Sequence, residues 1–518
     1  MKTRSLLTAC LVMICMLAPA TAQARELKIA YNAGPATLDI HEQRTDGVLQ
    51  LSHMSFDPLL RWTREFAFEP RLAAGYERLN PTTVRFRLRK GVRFHSGNTM
   101  TAVDVKWTFD RLRASPDYEA IFADFSELKI IDDYTIDLVT KGPDPLLLHA
   151  ATYIFPMDSK FYSGIDDKGH DKSAIVKNGD SFASSHLSGT GPYRVTAGEP
   201  GARIVFDRFA DYWDKRSPGN VARIDFTPIA DDQARVAALL AGDVDFIAPV
   251  LPRDFGQVRA ADKVELITLP GTRIIGFQLN QQRRPEFRDQ RVRLAMVLAV
   301  NNEDIVRNTM QGFATTAAQF SPRGYLGHNP KLKPRYDLAL ARKLMKDAGH
   351  ENGFRVTMMA SSDRYINDGK IAQAVASMLS RINIRVDLQT LPETQYSPAF
   401  DERTADIMMI GWRSDTEDSA NFFEFLAMTP NPSTGMGAYN AGNYSSEYVD
   451  QMTVQSNAET DPKKRAEMLQ GIEARIYQDA AFIPLHWENL AWAARKGVRI
   501  APIVNAFNLP YLGDLVID

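Results

Sequence analysis

The chain of 518 residues exceeds the size at which a single hydrophobic core usually stops growing, so two or three folded units are expected. It has 61 Lys and Arg residues against 63 Asp and Glu residues, a formal net charge of −2, and this balance argues against a nucleic-acid partner. With 44% hydrophobic and 10% aromatic residues, the chain can bury enough apolar surface to fold, which argues against a largely disordered protein.

The N-terminal segment 1–24 has the pattern of a secretory signal peptide. Two basic residues precede an apolar run over 6–18, and the small residues Ala22 and Ala24 form the site that a signal peptidase requires. The run is shorter than the roughly 20 apolar residues that span a membrane, so a permanent anchor is not expected. We therefore predict a periplasmic protein that is cleaved near Ala24/Arg25.

Both cysteines, Cys10 and Cys15, lie inside this signal segment. The predicted mature chain therefore has no cysteine, which excludes a disulfide-scaffolded module, a thiolate metal site and a cysteine nucleophile. A large core that needs no covalent cross-link is compatible with the bacterial periplasm.

After the signal segment, predicted strands and helices alternate, which indicates an α/β protein. A strand at 84–88, a helix that begins at the capping box of Thr101, and a hairpin of strands over 128–131 and 135–139 predict a small α+β unit. This unit lies between about Phe56 and Lys172.

A second pattern follows in the chain. A strand over 221–228 precedes a helix over 232–241, which ends at Gly242, and a further strand covers 244–247. This succession is typical of a βαβ unit and predicts a parallel pair of strands.

Helical content rises in the second half of the sequence. Asp289, Asp337 and Asp461 are each placed to cap a helix, and Pro462 occupies the first position of the last and longest of these. A buried strand is predicted at 406–410.

Motifs for catalysis and for cofactor binding are mostly missing. The sequence has neither a Gly-x-Ser-x-Gly nucleophile elbow nor a His-Glu-x-x-His zinc helix. The segment 164–173 only imitates a phosphate-binding loop, because its Lys does not directly follow the second Gly and no strand enters it. The nine histidines are scattered, with no pair at metal-ligand spacing. The absence of these motifs favours a binding protein over an enzyme, and it gives no sign of a cofactor or a metal site.

Several segments together form a recognisable set. In chain order they are Phe94-His95-Ser96-Gly97 with Thr101 to Val105, Gly189-Thr190-Gly191-Pro192-Tyr193, Tyr212-Trp213, Arg235 to Asp245, Leu279-Asn280 with Phe287 to Ala295, Tyr336-Asp337 with Ala341 to Gly349, Gly411-Trp412 with Asp415, Asn421-Phe422, and Pro484-Leu485. This ordered set resembles the bacterial extracellular solute-binding proteins of family 5, which serve peptide-type ABC importers. The resemblance covers essentially the whole mature chain.

The resemblance implies an α/β fold of the two-lobed periplasmic binding proteins (type II, cluster C-like), with an extra α+β subdomain inserted in the first lobe. On this basis we expect lobe I over 25–56, 173–274 and 488–518, the inserted subdomain over 57–172, and lobe II over 275–487. The two strands that cross between the lobes are expected near Arg273 to Gln278 and near Leu485 to Ala491.

Asp415 is the sharpest candidate for a ligand contact that the resemblance implies. The matching Asp in peptide-binding members pairs with the α-ammonium of the ligand, and such a charge-assisted contact suits a free peptide N-terminus. The alternative interpretation is a helix N-cap for the segment that contains Asn421, a role for which Asp418 and Ser419 compete.

Other candidate ligand-binding residues follow from the same resemblance. Arg364 lies near the position at which dipeptide-type members hold a carboxylate-binding Arg, although a surface loop Arg is an equal alternative. Trp412, beside Gly411, is expected to form an apolar wall or a part of the core. Backbone groups are expected from Asn32, Ala33 and Gly34, and Arg413 is expected to face solvent or an acidic partner.

The function that the resemblance implies is capture without chemistry. A periplasmic receptor would enclose a short peptide between its lobes and deliver it to the membrane permease and ATPase of an ABC transporter. We expect a monomer without a nucleic-acid partner. Two alternatives stay open: a receptor for an opine, a nickel chelate, heme or an oligosaccharide, and a secreted hydrolase with an unrecognised site.

Overall fold

The computed structural model describes residues 25–518. The predicted signal segment 1–24 and both cysteines lie outside the described residues. Within the described range, no helix is long and apolar enough to cross a membrane.

The fold is mixed α/β. The strands are β1 (Glu26–Tyr31), β2 (Leu60–Trp62), β3 (Phe68–Pro70), β4 (Ala73–Asn80), β5 (Thr83–Leu88), β6 (Phe125–Asp132), β7 (Thr135–Thr140), β8 (Tyr193–Gly198), β9 (Ile204–Arg208), β10 (Arg223–Phe226), β11 (Phe246–Ala248), β12 (Val264–Leu279), β13 (Ala314–Thr316), β14 (Arg355–Ser361), β15 (Arg385–Leu391), β16 (Ile407–Trp412), β17 (Phe482–Arg495), β18 (Val498–Arg499) and β19 (Val516–Ile517). The helices are α1 (Asp46–Ser55), α2 (Ala102–Arg113), α3 (Glu119–Phe122), α4 (Leu147–Ala151), α5 (Phe182–Ser185), α6 (Asp232–Ala241), α7 (Phe255–Ala260), α8 (Gln290–Ala299), α9 (Asn302–Asp304), α10 (Leu338–Asp347), α11 (Asp368–Ser380), α12 (Glu393–Asp401), α13 (Ser419–Leu426), α14 (Glu447–Ala458) and α15 (Pro462–Gln478).

One large sheet runs through both lobes. Its strand order is β15-β14-β16-β12-β17-β11-β1-β10-β9-β8, and β13 pairs with β17 beside this path. The two longest strands, β12 and β17, pair antiparallel from Val264 opposite Arg495 to Gln278 opposite Phe482. They form the ribbon that connects the lobes.

The hydrophobic cores show where this ribbon changes lobe. Leu269 of β12 and Leu490 of β17 pack against the core that contains β1, whereas Ile274 and Trp487 belong to the core built around α8, α11 and β16. The crossing therefore lies at 270–273 on β12, a few residues before the stretch that the sequence indicated. A register shift between Pro270 and Ile274 marks it, since a proline has no N–H to donate to a ladder.

A separate core belongs to the sheet β4-β5-β7-β6 with α2 packed on it. The capping box is present: the Thr101 side chain accepts from the backbone at the start of α2, and the Asp104 carboxylate accepts from the Thr101 N–H at 2.8 Å. The hairpin predicted around Asp132 is β6–β7. That this unit is a subdomain inserted in lobe I, with the bounds 57–172, stays a prediction.

The two strands of the predicted βαβ unit, β10 and β11, are parallel as expected, but they are not adjacent in the sheet. Strands β10 and β11 are both parallel to β1, which lies between them in the sheet. Strand β1 is thus inserted between the two strands that α6 connects, and its Leu27 and Ile29 are fully buried there. Helix α6 ends as expected, with Gly242 at φ +85° in the left-handed region.

Two of the segments that resemble the family, 94–97 and 189–193, contact each other beside the end of α1. The N–H of His95 donates to the carbonyl of Gly189 at 2.8 Å, and a ring nitrogen of His95 lies 3.0 Å from the Gly191 carbonyl oxygen. A methyl group at Gly189 would stand 2.0 Å from the carbonyl oxygen of Ser55 at the end of α1. A methyl group at Gly191 would likewise stand 2.5 Å from the Phe56 nitrogen, so Gly189 and Gly191 are needed for close packing of backbone against backbone.

Candidate ligand-binding site

The candidate residues lie where strands from opposite lobes end. Strand β1 is parallel to β11, and the pairs β11–β17, β17–β12 and β12–β16 are each antiparallel, so β1 and β16 run in opposite directions. The two strands lie in different lobes, and their carboxyl ends therefore face each other across the crossing. Asn32 to Gly34 follow β1, and Arg413 to Asp415 follow β16. Strand β14 is parallel to β16, which places Arg364 at the same edge of lobe II.

Gly411 sits inside β16 against an aromatic ring. The Tyr365 hydroxyl donates to the Gly411 carbonyl at 3.1 Å and accepts from the Gly411 N–H at 3.0 Å. A methyl group at Gly411 would stand 2.4 Å from Cε1 of Tyr365 and 2.7 Å from Cδ1 of Ile275. The geometry supports a packing role for Gly411: the absence of a side chain leaves room for the Tyr365 ring, and the hydrogen bonds of its hydroxyl hold the end of β16 in place.

Gly411→Ala should therefore displace the ring of Tyr365 and destabilise lobe II. An over-packed core position costs about 1–3 kcal/mol, and the two hydrogen bonds of the hydroxyl would be strained as well. Chemical denaturation measures the free energy of unfolding. Gly75→Ala is the control, because Gly75 lies in β4 at a position where the added methyl meets no atom and φ is not positive. A loss for Gly411→Ala no larger than that for Gly75→Ala would contradict the packing role of Gly411.

Trp412 is held in one orientation. Its indole N–H donates to Oδ1 of Asn421 at 2.9 Å, and its ring centroid lies 4.6 Å from that of Tyr439 and 5.4 Å from that of Phe425. The side chain is half-buried against the lobe II core. It can therefore offer one face of the ring to a ligand.

The loop after Trp412 is ordered by Asp418, not by Asp415. Asp418 caps α13 by accepting from the Ala420 N–H at 2.9 Å, and Ser414 Oγ both accepts from the Asp418 N–H and donates to the Asp418 carbonyl. The helix-cap interpretation of Asp415 is therefore wrong. Its side chain is 54% exposed and available for another contact.

Two ion pairs connect the lobes beside this loop. Arg44 Nη2 lies 3.6 Å from Oδ1 of Asp415, and Arg413 Nη2 lies 3.7 Å from Oδ1 of Asp46. The Tyr153 hydroxyl donates to the Asp415 carbonyl at 3.3 Å. We call Arg44, Asp46, Arg413 and Asp415 the interlobe charge cluster. Arg413 was expected to face solvent or an acidic partner, and Asp46 is that partner.

Glu417 lies under this cluster. Burial raises the pKa of its carboxyl to about 7, although the guanidinium of Arg413 and a hydrogen bond from the Tyr325 hydroxyl both lower it. For Arg413, burial lowers the pKa and the carboxylates of Glu417 and Asp46 more than offset this, so its pKa is raised. Arg413 is therefore charged, and it provides a fixed positive group between two acidic ones.

The predicted backbone contacts, Asn32 to Gly34, form a loop beside α1. Asn32 and Ala33 are exposed, the Asn32 N–H donates to the Ala248 carbonyl at 3.1 Å, and Gly34 packs against the start of α1, where a methyl on Gly47 would stand 2.9 Å from its carbonyl oxygen. This loop therefore adjoins Asp46 of the charge cluster.

Arg364 is engaged elsewhere. It forms an ion pair with Glu393 at the start of α12 and donates to Ser397 Oγ at 3.2 Å, all within lobe II. A ligand carboxylate would have to compete with Glu393, so this arrangement supports the surface-loop alternative.

Sequence reasoning missed the residues that meet Arg413 and Asp415 from the other side of the cleft. Arg44, Asp46 and Tyr153, and in lobe II Tyr325 and Glu417, belong to no motif. The only local signal was Thr45 followed by Asp46, which is typical of a helix start and is used as one, since Thr45 caps α1. Among residues 25–518, no group of three His, Cys, Asp or Glu side chains could hold a metal ion.

Two α/β lobes, joined by a ribbon of two long strands and bearing charged residues where they meet, define a clamp-like solute-binding protein. The family model of the bacterial extracellular solute-binding proteins, family 5 Middle, matches residues 67–433. The chain therefore belongs to this family of extracellular receptors of ABC importers. Its relatives bind substrates and are not enzymes, so the hydrolase alternative is excluded.

Individual relatives are distant in sequence and similar in length. The chain is 24% identical over 510 residues to the glutathione-binding protein GsiB of Escherichia coli O1:K1 / APEC, covering 96% of this chain and 95% of that protein. It is similar to the structure of HbpA2 from Haemophilus parasuis, with a TM-score of 0.84 and 20% identity over 95% of this chain and 100% of the other. It is also similar to the periplasmic binding protein DppA from Helicobacter pylori in complex with the peptide STSA, with a TM-score of 0.72 and 21% identity over 95% and 98% of the chains.

Proposed function

We propose that the chain captures a short peptide or a peptide-like zwitterion at the interlobe charge cluster. The ammonium group of the ligand would contact Asp415, and its carboxylate would contact Arg413 or Arg44. The receptor would act in the periplasm after cleavage near Ala24/Arg25 and would deliver the ligand intact to the permease and ATPase of an ABC importer.

The observation that supports this ligand class is the looseness of the two ion pairs between the lobes. Their N···O distances of 3.6 and 3.7 Å exceed the roughly 2.7–2.9 Å of a charge-assisted hydrogen bond. The buried pair of Arg465 with Asp418, only three residues from Asp415, has contacts of 2.6 and 2.7 Å. The charges at the lobe boundary are thus opposite in sign and incompletely paired, which suits a ligand that has both charges itself.

The relatives favour the same ligand class. One is named for binding glutathione, which is itself a small peptide, and one solved structure similar in fold holds a tetrapeptide. An opine would also present both charges. Nickel chelates, heme and oligosaccharides fit less well, because a ligand without an ammonium group would leave Asp415 without a cation of its own.

Asp415→Asn should weaken binding of a zwitterionic peptide by about 10- to 100-fold, since a hydrogen bond to a charged group contributes roughly 1.5–3 kcal/mol. Titration calorimetry with glutathione and with a panel of di- to tetrapeptides measures the affinity. N-acetylation of the best peptide should cost the wild type a similar factor and the variant almost nothing, because both changes remove the same contact.

Asp401→Asn is the matched control. Asp401 is an exposed carboxylate at the end of α12 in the same lobe and should leave affinity unchanged. Equal affinity of wild type and Asp415→Asn for the free peptide would overturn the assignment of Asp415. Failure of every peptide, with binding of a ligand that has no ammonium group, would overturn the ligand class.

The division of the chain at 25–56, 57–172, 173–274, 275–487 and 488–518, and a monomeric state, are part of the same proposal. A receptor that hands its ligand to a permease needs no second copy to complete this site, because both halves of the charge cluster come from one chain. Light scattering of the mature protein with and without peptide measures the mass. A ligand-independent dimer would contradict the monomer.

A further inference from the structure

A cavity of about 470 Å³ lies between the lobes, apart from the interlobe charge cluster. One wall comes from the β2–β3 hairpin, with Arg64 and Phe66, and from the C-terminal segment 505–506. The opposite wall comes from residues 315–334 of lobe II. Residues of β12 and β17 at the crossing form the floor of the cavity. A volume of this size lies within the roughly 300–1,000 Å³ of small-molecule sites.

The charged groups on this cavity all have the same sign. Arg64, Arg323 and Lys333 line it, and no Asp or Glu is among its lining residues. Within residues 25–518, none of the three cationic side chains has an ion-pair or hydrogen-bond partner. Most other arginines near the lobe boundary are balanced by a carboxylate, so three unbalanced cations around one cavity create a local positive potential in a chain of net charge −2.

The cavity also has a rigid apolar surface. The indole N–H of Trp487, a residue that is 7% exposed, donates to the Phe320 carbonyl at 3.0 Å, so the ring orientation is fixed. The ring of His328 lies beside it at 6.1 Å, with Nδ1 held 2.9 Å from the Ser321 carbonyl oxygen. Leu332 and several prolines complete the apolar lining. A ligand could therefore place an apolar body on this surface and an anionic group among the cations.

An aromatic wall separates the cavity from the peptide site proposed above. Phe66 packs edge-on against Tyr325 at 5.5 Å and against Phe507 at 5.0 Å, and Tyr325 is in turn hydrogen-bonded to Glu417. None of the four residues of the interlobe charge cluster lines the cavity. The two sites therefore differ in residues and in charge, one being balanced and the other purely cationic.

We propose that this cavity is a second binding site, for a small organic anion that combines a carboxylate, phosphate or sulfonate group with an apolar ring or chain. Arg64 from the β2–β3 hairpin and Arg323 and Lys333 from lobe II pair with the anionic group. Trp487 and Leu332 contact the apolar part. The site does not depend on the identity of the ligand at Asp415.

The test uses 1-anilinonaphthalene-8-sulfonate, an aromatic sulfonate whose fluorescence rises on binding. The triple variant Arg64→Ala/Arg323→Ala/Lys333→Ala should bind it about 10- to 100-fold more weakly than the wild type, since the three charges that face the sulfonate are removed together. N-phenyl-1-naphthylamine, the same ring system without the sulfonate, should bind wild type and triple variant equally. Phosphate and citrate in the assay should compete with the sulfonate in the wild type alone.

Two control variants show whether the sulfonate binds in this cavity. Lys331→Ala removes an exposed lysine two residues from Lys333 but outside the cavity, and it should leave the affinity for the sulfonate unchanged. Asp415→Asn should also leave it unchanged, so failure of the peptide proposal and failure of this one are distinguishable. Equal affinity of the triple variant and the wild type for the sulfonate, or equally tight binding of the neutral analogue and the sulfonate to the wild type, would overturn the proposal.

Discussion

Asp418→Ala is expected to lower the free energy of unfolding by about 3–5 kcal/mol, the cost of leaving a buried guanidinium without its partner. Arg465 and Asp418 are 2% and 3% exposed, and they form two parallel hydrogen bonds of 2.6 and 2.7 Å. Burial disfavours the charged carboxylate, but the guanidinium outweighs this and holds the pKa of Asp418 below its usual value. The cap on α13 is lost in the same change.

Urea denaturation of wild type and variant at neutral pH measures this effect. Glu77→Ala is the control, because Glu77 also pairs with an arginine, Arg87, but both side chains are more than half exposed. Such surface pairs contribute roughly 0–1 kcal/mol. A loss for Asp418→Ala no larger than that for Glu77→Ala would contradict the stabilising role of the buried pair.

The same variant should also weaken peptide binding. The Asp418 carboxylate fixes the end of the loop that contains Asp415, because it caps α13 and pairs with Arg465. The hydrogen bonds of Ser414 go to the backbone of Asp418 and are kept in the variant. Loosening this loop raises the cost of ordering it on binding. The stability of the lobe and the geometry of the proposed site thus depend on one residue.

Glu473→Gln is expected to become more stable relative to the wild type as pH rises. Glu473 is fully buried on α15, where it accepts from the N–H groups of Phe320 and Ser321, and burial raises its pKa from an ordinary value of 4.5 to about 7. In the unfolded chain the carboxyl loses its proton near its ordinary pKa, whereas in the folded chain it keeps the proton until about pH 7. Because the folded state binds more protons in this interval, the wild type loses stability as pH rises through it.

The difference in unfolding free energy between Glu473→Gln and wild type should therefore rise by about 3 kcal/mol between pH 4.5 and pH 7 and stay level above that, from 1.36 kcal/mol for each unit of pKa shift. Guanidinium denaturation at pH 5, 6, 7 and 8 measures it. Glu467→Gln, an exposed carboxyl on the same helix, should show no such trend. A difference independent of pH would contradict a neutral Glu473 in the folded protein.

Local patterns in the sequence predicted local structure well. Asp289, Asp337 and Asp461 each cap the helix assigned to them, and α15 begins at Pro462 as expected. A cap involves side-chain and backbone groups two or three residues apart, so its signal is contained in a short stretch of chain. The family resemblance extended this to the α/β, two-lobed architecture, because it used the order of many short segments.

What required the tertiary structure is every contact between distant segments. The sequence placed Asp415, Gly411, Trp412 and Arg413 at the end of a buried strand, yet it had no means of finding Arg44 and Asp46 opposite them, or the engagement of Arg364 by Glu393. Charge pairing across a cleft depends on how two separately folded lobes are oriented, and the spacing of residues along the chain holds no record of that orientation. Periodicity and caps thus determined the elements of this protein, whereas the packing of the lobes around the β12–β17 ribbon decided which of its charges meet and which stay unpaired.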